Sequence, residues 1–388
     1  MIQDRNDRYP FQFVAIFALI YMINAVFMPY IPVYLQSIGY DSTTTGMLLS
    51  IGPILAILSQ PIWGYFSDRS GSKTRVFRIM LGGIAVITLL FPLSTKLYYL
   101  ALAMISYYFF LSPVAPISDT LALEYLEGKR WQFGPIRMAG CIGFAAMTLL
   151  AGYLTEWRIE VIFVLGSLIA VATIFTSKLI PDIKGHQRSG RRMMPWVLLK
   201  NKTVMGLIFF SFTIQITAGC FYSFYTLHLK GLGGNNRVIG LAMLIAALAE
   251  IPFLIFADKI VKRLGIRLTL TLSALLTAIR FLLLSAAPDL TYAVLTNILH
   301  GVNYIVFIFS LAVFINKQVP DELKASGQTL HAVIGMGVSK VIGSTVGGIL
   351  IDRIGTAKTF LICSILCFVA TGIFFFQTMR LNKKSQTV

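Results

Sequence analysis

Charge is what this chain has least of. Charged side chains make up 13% of its 388 residues, where a soluble globular protein carries about 25%. Cysteine is nearly as sparse. Cys141, Cys220, Cys363 and Cys367 all fall inside apolar runs, with no metal-like spacing. That excludes a disulfide framework and a zinc site built on Cys/His pairs. Cys363 and Cys367, one helical turn apart, have the pattern of packing residues. Catalytic signatures are missing too. There is no His-Glu-x-x-His, no paired aspartate cluster for a metal–diphosphate and no nucleophile–base pairing. The chain does not read as an enzyme, and it calls for no metal or organic cofactor.

Hydrocarbon fills the space instead. Hydrophobic residues reach 56%, and mean hydropathy is +0.77. They gather into twelve runs of about 20 residues, the length that crosses a bilayer: 11–37, 44–66, 76–95, 97–125, 134–155, 158–180, 203–229, 236–257, 267–286, 290–317, 326–351 and 357–379. An all-α membrane protein with twelve transmembrane helices is expected, although Pro113 and Pro116 interrupt the fourth run. The net charge of +17 raises the question of nucleic acid, and its placement answers no. Of 33 Lys and Arg residues, 24 fall in the N-terminus, the even-numbered loops and the C-terminus. The odd-numbered loops hold six: Lys96, Arg158, Lys230, Arg237, Arg353 and Lys358. Basic residues concentrate on the cytoplasmic side, so both termini are predicted to be cytoplasmic and the protein multi-pass in the cell membrane. The polar first ten residues and the long first run argue against a cleaved signal peptide. The expected partners are the lipid bilayer, a small solute and protons, with a monomer as the working unit.

The longest polar stretch, 181–202, divides six runs from six. We therefore expect an N-terminal six-helix bundle over 1–180, a central cytoplasmic loop over 181–202 and a C-terminal six-helix bundle over 203–388. A sequence echo supports an internal repeat. Gln60 and Pro61 precede Gly64 and then Asp68-Arg69-Ser-Gly71-Ser-Lys73; Glu250 and Pro252 precede Asp258-Lys259, then Arg263, Gly265 and Arg267. The segment Gly64-Tyr-Phe-Ser-Asp68-Arg69-Ser-Gly71-Ser-Lys73 resembles the signature loop of the major facilitator superfamily. That resemblance covers essentially the whole chain and implies a transporter of two six-helix halves. In it Gly64, Asp68, Arg69, Gly71, Lys73 and, in the second half, Asp258 form a conformational switch. Asp68 would cap or pair near a helix end, and Gly71 would permit a tight turn.

Six ionisable residues sit deep in apolar runs: Asp119, Arg137, Glu250, Arg280, His300 and Lys340. Charge in hydrocarbon costs several kcal/mol, so such groups face a protein interior or a wet path. Asp119 and Arg137 are 18 residues apart on the fourth and fifth runs, joined by a short turn, and can meet across an antiparallel helix pair. Each lowers the cost of burying the other.

The stretch Phe133-Gly134-Pro-Ile-Arg137-Met-Ala-Gly140-Cys141-Ile-Gly143-Phe144 resembles the fifth-helix motif of the lactose-permease family of sugar–proton symporters. The resemblance implies that Asp119 and Arg137 bind sugar hydroxyls. Arg280 and His300 match the ninth-helix arginine and tenth-helix histidine of that family. Asn303 stands where the family has its proton-releasing glutamate, and Asn297 where it has a lysine, so the proton route does not carry over. Ala-Leu-Ala-Glu250-Ile-Pro252-Phe and Leu299-His300-Gly301 resemble the phenylpropionate-permease-like branch, whose substrates vary.

The expected function is a proton-coupled symporter importing a small polar solute, a sugar first, by alternating access around one central site. Asp119, Arg137, Asn24, Gln60, Arg280, His300 and Asn303 are the candidates for binding substrate. Glu250, Asp119, His300 and Lys340 are the candidates for handling the proton, with Glu250 foremost, because a carboxylate that alternates between dry and paired surroundings gains and loses a proton. Tyr21, Tyr30, Tyr34, Tyr107, Tyr108, Tyr222 and Tyr225 divide between stacking on substrate and the interfacial belt. An aromatic carboxylate or nucleoside importer stays open, as does an exporter, although the fifth run lacks the Gly-Pro of drug–proton antiporters. A non-transporting sensor on the same fold would need a signalling tail.

Overall fold

Proline and glycine punctuate the apolar runs, and the helices of the computed structural model begin and end at those marks. It describes residues 9–182, 202–301, 311, 314 and 324–386, and every regular element among them is helical. The first half holds α1 (Phe11–Phe27), α2 (Ile31–Ser37), α3 (Ser42–Arg69), α4 (Lys73–Leu90), α5 (Leu97–Leu111), α6 (Val114–Leu126), α7 (Phe133–Leu154) and α8 (Val161–Ser177). The second holds α9 (Lys202–Gly231), α10 (Asn236–Leu264), α11 (Ile266–Ser285) and α12 (Leu290–Leu295), which passes into a 3₁₀ turn over Thr296–Leu299. Then come α13 (Lys324–Leu330), a π-helix over His331–Val338, α14 (Ser339–Ile354) and α15 (Thr356–Gln386).

Ten stretches among the described residues are long and apolar enough to cross a membrane. They coincide with ten of the twelve predicted runs. The sixth run is the 17-residue apolar helix α8, and the tenth opens as Leu290–Leu299 before entering residues outside the described ones. Side chains such as Leu58, Tyr98, Leu168, Phe175 and Phe376 are more than half exposed. Apolar surface on that scale suits hydrocarbon, not water.

The fourth run breaks at Ser112–Pro113, where α5 stops and α6 starts. Pro116 has no N–H to return to the carbonyl of Ser112, and the Gln60 amide donates to that carbonyl instead, at 3.2 Å. Three other prolines sit inside long helices, Pro53 and Pro61 in α3 and Pro252 in α10. The echoing segments Gln60-Pro61 and Glu250-Ile-Pro252 thus each lie inside one of the longest helices. The turn after α3 departs from expectation. Gly71 is not among the glycines with positive φ, and neither it nor Gly64 has a heavy atom within 4 Å of where a Cβ would stand. The matching turn after α10 does use a left-handed glycine, Gly265, at φ 78°.

The chain forms two compact units. One comprises Met1–Ile38, Ile51–Ser189 and Ile239–Leu244; the other comprises Gly39–Ser50, Gly190–Val238 and Ile245–Val388. The first unit's core is aromatic: Phe27 stacks on Tyr107 at 4.1 Å, and Phe91 lies flat on Phe163 at 5.2 Å. Glycines press α7 onto α1, with Gly143 against the backbone of Ala18 and Gly140 against the ring of Tyr21. The second unit repeats the device. Gly343 on α14 meets the backbone of Ile216 on α9, and Gly219 on α9 meets that of Lys340. Close backbone approach at small residues is how helices bind one another in lipid. Cys363 and Cys367 are buried on α15, Cys367 within 3.2 Å of the Thr217 hydroxyl.

Candidate functional site

In the first unit Gly128, at φ 76°, turns the chain between α6 and α7 and brings Asp119 opposite Arg137. Arg137 Nε donates to Asp119 Oδ1 at 3.1 Å. The pair is half-open: 43% of the Arg137 side chain and 30% of that of Asp119 are exposed. The contact is side-on. The two terminal nitrogens of Arg137 make no hydrogen bond among the described residues, so a fork of planar donors stands beside an acceptor carboxylate. Tyr21 and Cys141 are its polar neighbours.

Two other expected binding residues of this unit each give one amide bond to the backbone. Asn24 Nδ2 donates to the Ile20 carbonyl of its own helix at 3.1 Å, and Gln60 holds the α5–α6 break. Tyr30, Tyr34 and Tyr107 are buried core residues; the Tyr30 hydroxyl donates to the Thr148 carbonyl at 2.8 Å.

The turn between α3 and α4 is fastened by ion pairs. Ser72 caps α4 by accepting from Arg75 N at 3.1 Å, and its hydroxyl donates to Asp182 at 2.7 Å. Lys73 is 2% exposed. Its Nζ meets Glu124 Oε1 at 2.5 Å and Asp68 Oδ1 at 3.8 Å. Arg69 lies over the ring of Tyr65 and donates to its hydroxyl. Glu124 was invisible as a partner in the sequence because it sits 51 residues away. It shares α6 with Asp119, so one helix carries both the open pair and the anchor of the turn. Asp258 lies on α10, and its side chain is outside the described residues, as is all of Asn303.

The second unit contains a denser network. Arg280 on α11 is 3% exposed and spends its donors inward. Nε donates to the Thr296 carbonyl at 3.2 Å, Nη2 to Asn297 Oδ1 at 2.8 Å and Nη1 to His300 Nδ1 at 2.9 Å. The 3₁₀ turn makes this possible, because His300 N bonds the Asn297 carbonyl and leaves that of Thr296 to Arg280. Phe221 covers the guanidinium at 4.1 Å. Asn297 Nδ2 donates to the Tyr225 hydroxyl at 2.6 Å, which donates to the Ala293 carbonyl at 3.2 Å. Asn297, noticed in the sequence only for replacing a lysine, is thus the hinge pin of the network.

These bonds fix the histidine's tautomer. A guanidinium only donates, so Nδ1 of His300 must carry a lone pair and the ring proton must sit on Nε2. Nε2 lies 3.3 Å from Glu250 Oε1 and 3.1 Å from the Tyr222 hydroxyl. Glu250, on α10, is 20% exposed at the side chain while His300 is 7%. The carboxylate therefore stands at the rim and the ring inside. The ammonium of Lys340 sits 5.9 Å above the ring of Tyr222 and forms no ion pair among the described residues. Glu250, Arg280, His300 and Lys340 are accordingly brought around Tyr222.

Sequence reasoning missed one further group. Ser211 Oγ, Gln215 Oε1 and His331 Nδ1 are buried beside the π-helix and hydrogen-bond to nothing among the described residues. A π-helix gives no periodic signal that could have announced it.

Comparison with known proteins adds the lineage. The chain is 26% identical over 365 residues to an uncharacterized transporter, YwbF, of Bacillus subtilis (strain 168), covering 93% of this chain and 91% of that protein. It is 26% identical over 373 residues to the maltose permease of Geobacillus stearothermophilus, covering 95% and 94%. A probable 3-phenylpropionic acid transporter of Escherichia coli (strain K12) is 24% identical over 341 residues, covering 85% and 88%. Among solved structures, the nucleoside transporter NupG superposes with a TM-score of 0.84 at 18% identity, over 94% of this chain and 98% of that one, a likeness of fold. The model of the MFS_1 like family matches residues 12–362. With the helices and the two polar clusters in place, that match establishes the chain as a member of the MFS_1-like family, a multi-pass membrane transporter of the major facilitator type.

Proposed function

We propose that this transporter is a proton-coupled symporter importing a small polar organic solute, a sugar before other classes, across the cell membrane by alternating access. In this reading it has twelve spans, both termini in the cytoplasm, and works as a monomer. The observation that carries it is Glu250: an acid at the rim of a dry network, held by an uncharged ring and, among the described residues, bonded to no cation. Such a carboxylate has two supported states. Ionised, it accepts the Nε2 proton of His300. Protonated, it gains a donor of its own, and the Tyr222 oxygen is there to take the imidazole proton. Neither state disturbs Arg280. A proton placed on His300 itself would break the Arg280 bond, so His300 positions and Glu250 carries.

Asp119 and Arg137 offer one acceptor group and a fork of donors side by side, the complement of neighbouring hydroxyls on a sugar ring. Kinship with the maltose permease agrees with that choice. A second reading, a small aromatic carboxylate, is favoured by Lys340, whose ammonium is near the Tyr222 ring and without an ion pair among the described residues. Uptake into proteoliposomes separates them. Maltose, 3-phenylpropionate and a nucleoside are offered with and without an inside-alkaline pH step. Concentrative maltose uptake that a protonophore collapses is expected. Uptake indifferent to the pH step would end the coupling claim, and preference for 3-phenylpropionate would replace the sugar.

A further inference from the structure

A helix starts with backbone N–H groups that have no partner inside it. At the start of α3 these groups are filled from two places. Asp41, just before the helix, accepts from Thr44 N at 2.8 Å. Asp352, about three hundred residues away on α14, takes the rest. Its Oδ1 accepts from Ser42 N at 3.0 Å, and its Oδ2 accepts from Thr43 N at 2.7 Å and from the Thr43 hydroxyl at 2.5 Å. Both carboxylate oxygens are used, at the positive end of the helix dipole. Beneath the carboxylate runs a seam without interlocking side chains. Gly348 lies against the backbone of Ser42, and Gly46 against the carbonyl of Ser344. Ser344, Gly348 and Asp352 recur every four residues on α14 and so share one face.

We propose that Asp352 is a releasable cap supplied in trans: it holds the opening turns of α3 on α14 while the external face is shut, and lets go when that face opens. The inference rests on the alternating-access reading above. Three observations support it beyond the contact. Residues Gly39–Ser50 group with the second unit, whereas α3 from Ile51 onward groups with the first, so one helix answers to both. The Thr43–Asp352 bond is exposed to solvent, with Asp352 open and Thr43 half-buried, and there water replaces lost hydrogen bonds at little cost. Asp41 stays with α3 after release, so the helix keeps one cap and does not unwind. The side is set by sequence: Ser42 follows the first odd-numbered loop and Asp352 lies beside another, and the odd-numbered loops together hold six of the 33 basic residues.

A Thr43→Cys/Asp352→Cys carrier tests this. Copper phenanthroline takes two electrons from the two thiols and joins them as a disulfide. Uptake should then fall below about a tenth of the unlinked rate and return on adding dithiothreitol, which also shows that the variant is folded. A linked carrier working at the unlinked rate would overturn the proposal, as would thiols that never join. Asp352→Asn in a Thr43→Cys carrier gives a second readout. Labelling of Cys at 43 by an impermeant maleimide from outside should quicken about threefold or more as the open state gains population; an unchanged rate counts against the cap. If no solute is taken up even by the unaltered protein, the transport reading fails while the labelling result still decides the cap.

Discussion

Arg137 and Arg280 are the same residue type in opposite employment, and the fate of their donors decides which. Arg280 engages three nitrogens with Thr296, Asn297 and His300, so it organises a site and has little left for a solute. Arg137 engages one, with Asp119. Arg137→Lys, which keeps the charge and loses the planar fork, should raise the apparent KM for maltose about tenfold or more with the protein intact. Arg137→Ala leaves a half-open Asp119 without its cation and should lower stability by about 1 kcal/mol, regained when Asp119→Ala is added. Thermal unfolding in detergent reads both. His300→Gln keeps a donor toward Glu250 and should retain gradient-driven uptake, whereas His300→Phe should lose it. If glutamine also abolishes accumulation, the proton resides on the ring and the tautomer argument is wrong. The Asp119–Arg137 pair was legible because a short turn and 18 residues leave few other arrangements. The inward use of Arg280 was not, since it depends on a 3₁₀ turn that frees one carbonyl. Nor was the Gln60 contact, which answers a carbonyl that Pro116 cannot serve.

At the level of helices, the apolar runs located the spans, while the ends of the helices follow local chemistry. Helix α3 continues to Arg69, past the run that ended at 66, because Asp68 and Arg69 are satisfied beside Lys73 and Tyr65. The two glycine turns after α3 and α10 differ. Gly71 has an unstrained backbone and open space, and Gly265 has φ 78°. Gly71→Ala should therefore leave stability and uptake unchanged, while Gly265→Ala should cost about 1 kcal/mol or more. Equal losses at both would contradict this difference. Gly343 meets backbone across the α9–α14 seam, so Gly343→Leu should cost about 1–3 kcal/mol by overpacking, seen as a lower unfolding temperature. Glycines of the eleventh run pointed to such packing in sequence. The π-helix ahead of Lys340 did not, because its signature lies in hydrogen bonds that composition does not encode.

Across the whole chain, the scarcity of charge gave the membrane class, and the echo of Gln60-Pro61 in Glu250-Ile-Pro252 is the reason to expect two related halves. What sequence could not supply was membership at the edges, for Gly39–Ser50 and Ile239–Leu244 group away from their neighbours in the chain. The polar groups divide by unit, an open acid–base pair in one and a dry network with a single rim carboxylate in the other. Of the two carboxylates deep in the apolar runs, Asp119 is bonded to a cation and Glu250 to an uncharged ring. The proposed coupling of solute to proton is placed on Glu250 for that reason.

Glu250→Gln in proteoliposomes with an inside-alkaline pH step tests that assignment most directly, with maltose as the probe. The unaltered carrier is expected to accumulate maltose above the external level. The Gln variant should equilibrate and exchange it without accumulating. Full accumulation by the Gln variant would place the proton on another group and contradict the account.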